Sequence, residues 1–437
     1  MKMLGWWMLF LWAPAAIGAD SVVAAIAAHK HLGVASCASG VCHGSTQVFK
    51  ESSVMQNEFA YWQEFDPHAN KAFQALTGEA GQAIARKLGL GDATQAAVCL
   101  DCHADNVPGS ARGDRFQLSD GVGCEACHGG SELWISSHTE RGAAHADNLG
   151  KGMYPTDNAV QRAQLCLSCH MGTPDRMITH RIMGAGHPRL SFELDTFTWL
   201  NPHYTIDADY IERKGDFNGL RDWGVGQGVA ATNLLDLLLD DKMGWNGIFP
   251  ELVLFDCYSC HKVMDSKSWG PRQGTGLGPG AVRLNDSNLV MFRHVLAGID
   301  AGASKRLRDQ TRALHQATQQ GRDATRAAAR ALRATIEAEL PKVAAAPFDA
   351  DMLKGILASI AGDGERGEYR DYAAAEQAAM AVQSVVVAWQ NLGGLDEERT
   401  KLLQGKVDQL TDAVDNGDKY SMSRFLTALN SVRAAAP

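Results

Sequence analysis

The 10 cysteines of the chain fall into five pairs, and a histidine directly follows the second cysteine of each pair. Four pairs have the spacing Cys-x-x-Cys-His: Cys99/Cys102/His103, Cys124/Cys127/His128, Cys166/Cys169/His170 and Cys257/Cys260/His261. The first, Cys37/Cys42/His43, has four intervening residues. No cysteine is left over. Two thiols on one turn of chain can form thioethers to both vinyl groups of a single porphyrin. The next histidine then lies under the ring as the proximal iron ligand. The pattern reads as five covalently attached haem c groups, with His43, His103, His128, His170 and His261 as proximal ligands. Zinc sites also use paired cysteines, but zinc supplies no reason for a histidine after every pair. Disulfides predict no histidine either, and half-cystines this close rarely bridge each other.

Five irons need up to five ligands on the opposite face. Outside the motifs, the same part of the chain holds His29, His31, His68, His138, His145, His180, His187, His203 and His294. Nine histidines for five places permit bis-histidine ligation throughout, so an electron carrier is allowed and an open iron is not forced. His29 and His31 flank Lys30 near the start of the mature chain, where termini are often mobile.

The elements that must position these groups divide by composition. One basic residue, an apolar run from Met3 to Trp12 and a small-residue stretch to Ala19 read as a cleaved signal peptide, residues 1–19, too short to span a bilayer. Residues 20–300 hold every cysteine and all histidines but His315. Residues 301–437 carry 18 charges of each sign, so the net charge of -9 belongs to the first 300 residues. The expected fold is mainly α with extensive loops: a pentahaem cytochrome c domain over 20–300, then an α-helical bundle over 301–437. Helical spacing is clearest from Gly224 to Lys242, and the glycine- and proline-rich stretch from Trp269 to Ala281 reads as loop. In the C-terminal part, one stripe runs from Leu307 through Leu314, Ala328, Leu332 and Ile336 to Leu340 and is stopped by Pro341. Further helices are expected around Met352–Ile360, from Tyr372 to Gly393-Gly394, over Leu402–Val414, and around Phe425–Val432. His315 sits among polar residues and is expected to be solvated.

The segment from Cys37 to His170 resembles the tetrahaem cytochromes of ammonia oxidisers that accept electrons from hydroxylamine oxidoreductase. The resemblance rests on Asp66-Pro67-His68-Ala69-Asn70-Lys71-Ala72, Val98-Cys99-Leu100-Asp101-Cys102-His103, the block Gly121-Val122-Gly123-Cys124-Glu125-Ala126-Cys127-His128-Gly129, His138, and Leu165-Cys166-Leu167-Ser168-Cys169-His170. It implies His68 as distal ligand of the haem on Cys124/Cys127 and His138 for the haem on Cys37/Cys42, with those two haems stacked closely. It also implies that the haem on Cys99/Cys102 lacks a sixth ligand. The stretch from Ile178 to Glu193, with Pro202-His203-Tyr204, resembles a block of larger multihaem cytochromes in the same superfamily. That implies His187 and His203 as ligands, for the fourth and fifth haems, with His180 and His294 as further candidates. The fifth motif, the longer first spacing and the C-terminal helices depart from the tetrahaem pattern.

The expected function is a periplasmic or extracellular relay of electrons between redox partners. The acidic haem-bearing part suits partners with basic docking patches. The alternative is a haem-dependent oxidoreductase acting on a small nitrogen or sulfur oxy-compound at one five-coordinate iron. No lysine-bearing haem motif of the nitrite-reducing pentahaem kind is present. Docking to a membrane complex, and self-association through the C-terminal bundle, are compatible with the relay. No basic stripe suggests nucleic acid, and no glycine motif cradles phosphate between strand and helix.

Overall fold

The computed structural model describes residues 19–50, 54–204, 206–215, 217–261 and 271–437. The signal segment, up to residue 18, lies outside them. The described residues form nineteen α-helices, short 3-10 turns and one two-stranded antiparallel hairpin, Trp245–Asn246 with Phe249–Pro250. The fold is mainly α with extensive loops. Among the described residues, no helix is long and apolar enough to cross a membrane.

Residues 19–160 have little apolar core of their own. They hold two small clusters, one of Leu76, Ala85, Ala93, Leu100 and Ala104, the other built on Val22, Ile26 and Tyr154 and completed by Leu165 from just beyond. Burial on this scale offsets little of the entropy of ordering so long a segment. The motifs lie on short helices: Ala97–His103, Cys124–His128 and the end of Ala159–His170. The first and fifth follow or occupy 3-10 turns, Val34–Ser36 and Cys257–Ser259.

One large core begins at Ala163 and ends at Val432. Its centre is the Gly219–Leu239 helix, started by Asn218, whose side chain accepts from the Arg221 amide, and buried along most of its length. This helix packs on Arg322–Ala345, and Ser287–Ile299 packs on Ala301–Thr318 and Ala350–Glu365. Helices from both sides of residue 300 thus share one core. The remaining helices, Tyr372–Asn391, Glu397–Asp412 and Met422–Ala435, fall where the apolar spacing puts them.

Three expectations are corrected. The stripe from Leu307 to Leu340 lies on two helices, broken at Gly321, whose φ of 105° suits glycine. Pro341 does not stop the second helix, which continues to Ala345. Fully buried Val343 holds that last turn to the core beyond the proline. His315 is not solvated: it is fully buried, with Nε2 2.9 Å from an Asp286 carboxylate oxygen. The Ala301–Thr318 helix turns it inward against the 286 loop, a long-range partner that local polarity did not reveal.

Glu193 caps the Leu194–Leu200 helix, accepting from the Asp195 and Thr196 amides at 3.0 and 2.6 Å. Burial, helped by nearby Asp195, pushes its carboxyl up to about 7. Its unfolded value is about 4.3, so folding favours the protonated form. The stability this group supports is complete below the unfolded value and is lost as pH rises through about 7. The apparent thermal midpoint should fall between pH 5 and pH 8, and Glu193→Gln should flatten that fall. Circular dichroism melts at the two pH values check it, and an unchanged slope in the variant would refute it.

Candidate haem-ligand array

Each motif histidine meets one histidine from elsewhere in the chain. Ring centres are 6.4 Å apart for His43 and His138, 5.8 Å for His68 and His170, 6.3 Å for His103 and His187, 6.5 Å for His128 and His203, and 6.1 Å for His180 and His261. No histidine is used twice. A metal held between two imidazole nitrogens at about 2 Å from each separates the ring centres by about 6 Å. All five pairs lie close to that separation.

Hydrogen bonds sort the histidines in the same way. His103 Nδ1 donates to Ala72 O at 2.8 Å, His138 Nδ1 to Trp134 O at 3.2 Å and His187 Nδ1 to Pro188 O at 2.8 Å. A carbonyl can only accept, so in these three rings the proton is on Nδ1 and the lone pair on Nε2, as a metal ligand requires. His43 Nδ1 lies 3.1 Å from Glu58 and His68 Nδ1 3.0 Å from Asp66, carboxylates that raise the pKa of each imidazole. Phe192 stacks on His170 at 4.3 Å, and burial pushes His170 down to about 4, which favours the neutral ring.

Outside the pairs, His31, His145 and His294 use Nε2 for protein contacts. His31 is fully buried, with Nδ1 2.6 Å from Asp105 and Nε2 donating to Ile26 O at 2.9 Å. It pins the N-terminal segment to the second motif's loop, so this part of the terminus is held in place. His294 has Nδ1 2.8 Å from Ser359 Oγ and Nε2 3.1 Å from Tyr369 Oη, and burial drives it down to about 3. It faces the helical core, with neither nitrogen left over. His145 Nε2 meets Asp157 at 3.2 Å, and His29 packs against Gly152.

Local sequence explains the placement of the paired rings. Gly121 has φ 83°, and a Cβ there would lie 2.2 Å from Ala69 O. This close approach lets Val122 donate to His68 O at 2.8 Å, which fixes the His68 segment beside the third motif. The His180–Ala185 helix carries His180 at its first residue. Gly186, at φ 123°, then turns the chain so that His187 projects beyond the helix end. One short helix thus presents one ring to His261 and another to His103.

The structure brings His138 to His43, the arrangement the resemblance implies. It does not bring His68 to His128: His68 meets His170, and His203 takes the place at His128. Nor is the face opposite His103 left bare, because His187 stands there. His187 and His203 therefore meet the second and third motif histidines, and the fifth motif's partner is His180. Pairing is a long-range property, and the order of histidines along the chain carries little of it. Asp66 could have been found from sequence, two residues before His68, whereas Glu58 and Phe192 have no spacing signal.

None of the ten cysteines is joined to another by a disulfide, and all lie at these motifs. Cys37 contacts Cys124, and Cys102 contacts Cys169, whose Sγ also accepts from Arg176 at 3.2 Å. Cys99, Cys127 and Cys166 pack against the apolar clusters beside their motifs, and Cys257 is half-buried. Among the described residues, no group of three or more His, Cys, Asp or Glu side chains gathers as a conventional metal cage. Thiol pairs beside histidine couples suit a porphyrin attached at its edge and ligated on both faces.

Cys42 departs from the expected picture of two thiols on one turn, and Cys260 differs from its partner in exposure. Cys37 ends the Val34–Ser36 turn, whereas Cys42 lies on the next turn, its amide donating to Ser39 O at 2.8 Å. The two extra residues of the first motif have to be accommodated, and they move the second thiol off the turn that carries the first. The His43 amide still returns to Cys37 O at 3.2 Å, so the histidine keeps its place relative to the first cysteine. Cys260 does share a turn with Cys257, donating to its carbonyl at 3.2 Å, but it is exposed where its partner is half-buried. A single 3-10 turn carries this motif, and Cys260 stands just past its last residue, Ser259, on the solvent side. Spacing alone shows neither difference.

Residues 36–129 match the family described as cytochrome c554 and c-prime. The match spans the first three motifs. It supports a multihaem c-type cytochrome with covalently attached haem c and a part in electron transfer. No curated protein and no solved structure matches the chain.

Proposed function

We propose that the chain is an exported, periplasmic pentahaem cytochrome that relays electrons between redox partners, with every iron held by two histidines. The observation that carries this reading is the set of five histidine couples, each joining a motif histidine to a distal one. The proposed distal ligands are His138, His187, His203, His68 and His180, for the first to fifth haems in order. His294 is left out because both its ring nitrogens are engaged. All ten cysteines are proposed as attachment points, two for each haem. Bound in this way, haem iron supplies reversible one-electron exchange. The protein's part is to hold the rings, fix their tautomers and set the spacing.

Contacts between neighbouring motifs suggest an order for the relay. Cys37 against Cys124 links the first and third sites, and Cys102 against Cys169 links the second and fourth. His68 and His203 share the Asp66 carboxylate as an electrostatic neighbour, which joins the third to the fourth. The His180–Ala185 helix and the residues just beyond it join the second to the fifth. The proposed path runs first, third, fourth, second, fifth, so its ends are the motifs at His43 and His261. Acidic residues of the first 300 would meet basic patches on soluble or membrane-bound partners.

Electron paramagnetic resonance of the isolated protein tests the reading. Five low-spin ferric signals are expected. A high-spin component that disappears on adding nitric oxide would instead favour substrate chemistry at an open iron.

A further inference from the structure

Away from the histidine couples, a cavity of about 190 Å³ lies between the 272–274 turn and the helices Ser287–Ile299 and Ala301–Thr318. Five arginines line it: Arg272, Arg293, Arg308, Arg312 and Arg366. Three carboxylates face them, and each is already engaged. Asp286 pairs with Arg272 and with His315. Asp363 pairs with Arg293 and Arg366. Glu368 lies 3.3 Å from Arg272 and accepts from the Gly274 amide at 2.8 Å.

That leaves Arg308 and Arg312, one helical turn apart at the rim. Among the described residues, Arg308 reaches only Asp309, its own neighbour, at 3.8 Å. Arg312 makes no ion pair among the described residues and packs over Gly276, which has φ 67°. Like charges four residues apart on a helix repel, and two guanidinium groups over a concave surface can bind one oxyanion in bidentate fashion.

We propose that this cavity binds a small tetrahedral oxyanion, phosphate or sulfate, with Arg308 and Arg312 as its principal donors. Thr311, between them, also lines the wall. A bound dianion would neutralise the rim and tie the segment after the fifth motif to the helical core.

The test is calorimetric titration of the full haem-loaded protein with inorganic phosphate and, separately, with sodium sulfate. The same titrations are run on Arg308→Gln/Arg312→Gln and on Lys401→Gln, a control at an exposed site elsewhere. Saturable one-to-one binding of either ion is expected, weakened at least about tenfold in the double variant and unchanged in the control. Binding of either ion supports the site and names its ligand. Absence of saturation overturns the proposal. So does a response that chloride reproduces at equal ionic strength, or that the double variant keeps while its circular dichroism and haem absorbance match the parent.

Discussion

In the proposed pentahaem assignment, replacing His187 by alanine is expected to turn one low-spin iron of five into a high-spin iron that binds nitric oxide or carbon monoxide. The reasoning starts at the ring. His187 Nδ1 donates to the Pro188 carbonyl, which leaves Nε2 with the lone pair, and the ring centre stands 6.3 Å from that of His103. Gly186 turns the chain at the end of its helix, and Lys87 Nζ donates to Ala185 O at 2.9 Å just before that turn. The backbone is therefore held without help from the imidazole, so the variant should fold with only this ligand lost. One fifth of the haem should change spin state, and its reduction potential should rise, because a bis-histidine environment favours ferric iron. His294→Ala is the matched comparison: it should destabilise the core without producing a high-spin signal, since both its nitrogens serve Ser359 and Tyr369. An unchanged spectrum in His187→Ala would remove it from the ligand set. A parent protein that already shows one high-spin haem would return the open iron to the second motif, as the tetrahaem resemblance implies.

What the sequence made legible was whatever is local. The haem motifs follow from short spacings, and the C-terminal helices follow from apolar stripes a few residues apart. Even there, spacing did not show that Cys42 sits on a separate turn from Cys37, or that Cys260 is exposed, because both depend on how the surrounding turns fold. Pairing across the chain did not follow, because His68 and His170, or His128 and His203, are joined only by tertiary placement. His315 was misread for the same reason. Its sequence neighbours are polar, yet the helix face that carries it packs inward, where Asp286 is its partner. Pro341 looked like a stop because proline breaks isolated helices. Here Val343 on the following turn is buried in a core built from both halves of the chain, and tertiary packing outweighs the local penalty. That shared core runs across residue 300, where composition alone suggested a boundary. Cysteine and charge report where haem chemistry is done, whereas helices Gly219–Leu239 and Ser287–Ile299 report where the scaffold is packed.

Glu125→Ala should be the most destabilising single change near the motifs, at about 4 kcal/mol or more, given about 1.5–3 kcal/mol for each hydrogen bond to a charged group. Glu125 lies inside the third motif, between Cys124 and Cys127, yet its side chain faces away from attachment chemistry and is almost fully buried. Its Oε1 accepts from the Leu32 and Ser131 amides, each at 2.8 Å, and its Oε2 from the Gly33 amide at 2.7 Å. One carboxylate therefore ties the segment leading into the first motif to the helix of the third, where Cys37 meets Cys124. Alanine would leave three amides without their acceptor, two of them in fully buried surroundings. Glu125→Gln keeps one oxygen acceptor but presents an NH2 group to a donor, so it should lie between parent and alanine. Thermal melts followed by circular dichroism would give the order parent, Gln, Ala, and limited proteolysis should expose a new cut near residues 31–33 in the alanine variant. In the proposed pentahaem assignment this tie joins the first and third sites, so the melt should be accompanied by a change in the absorbance of two haems while the other three keep their spectrum. Equal midpoints and equal protection in all three proteins would mean that the His31–Asp105 contact, 2.6 Å long and buried, holds the segment alone.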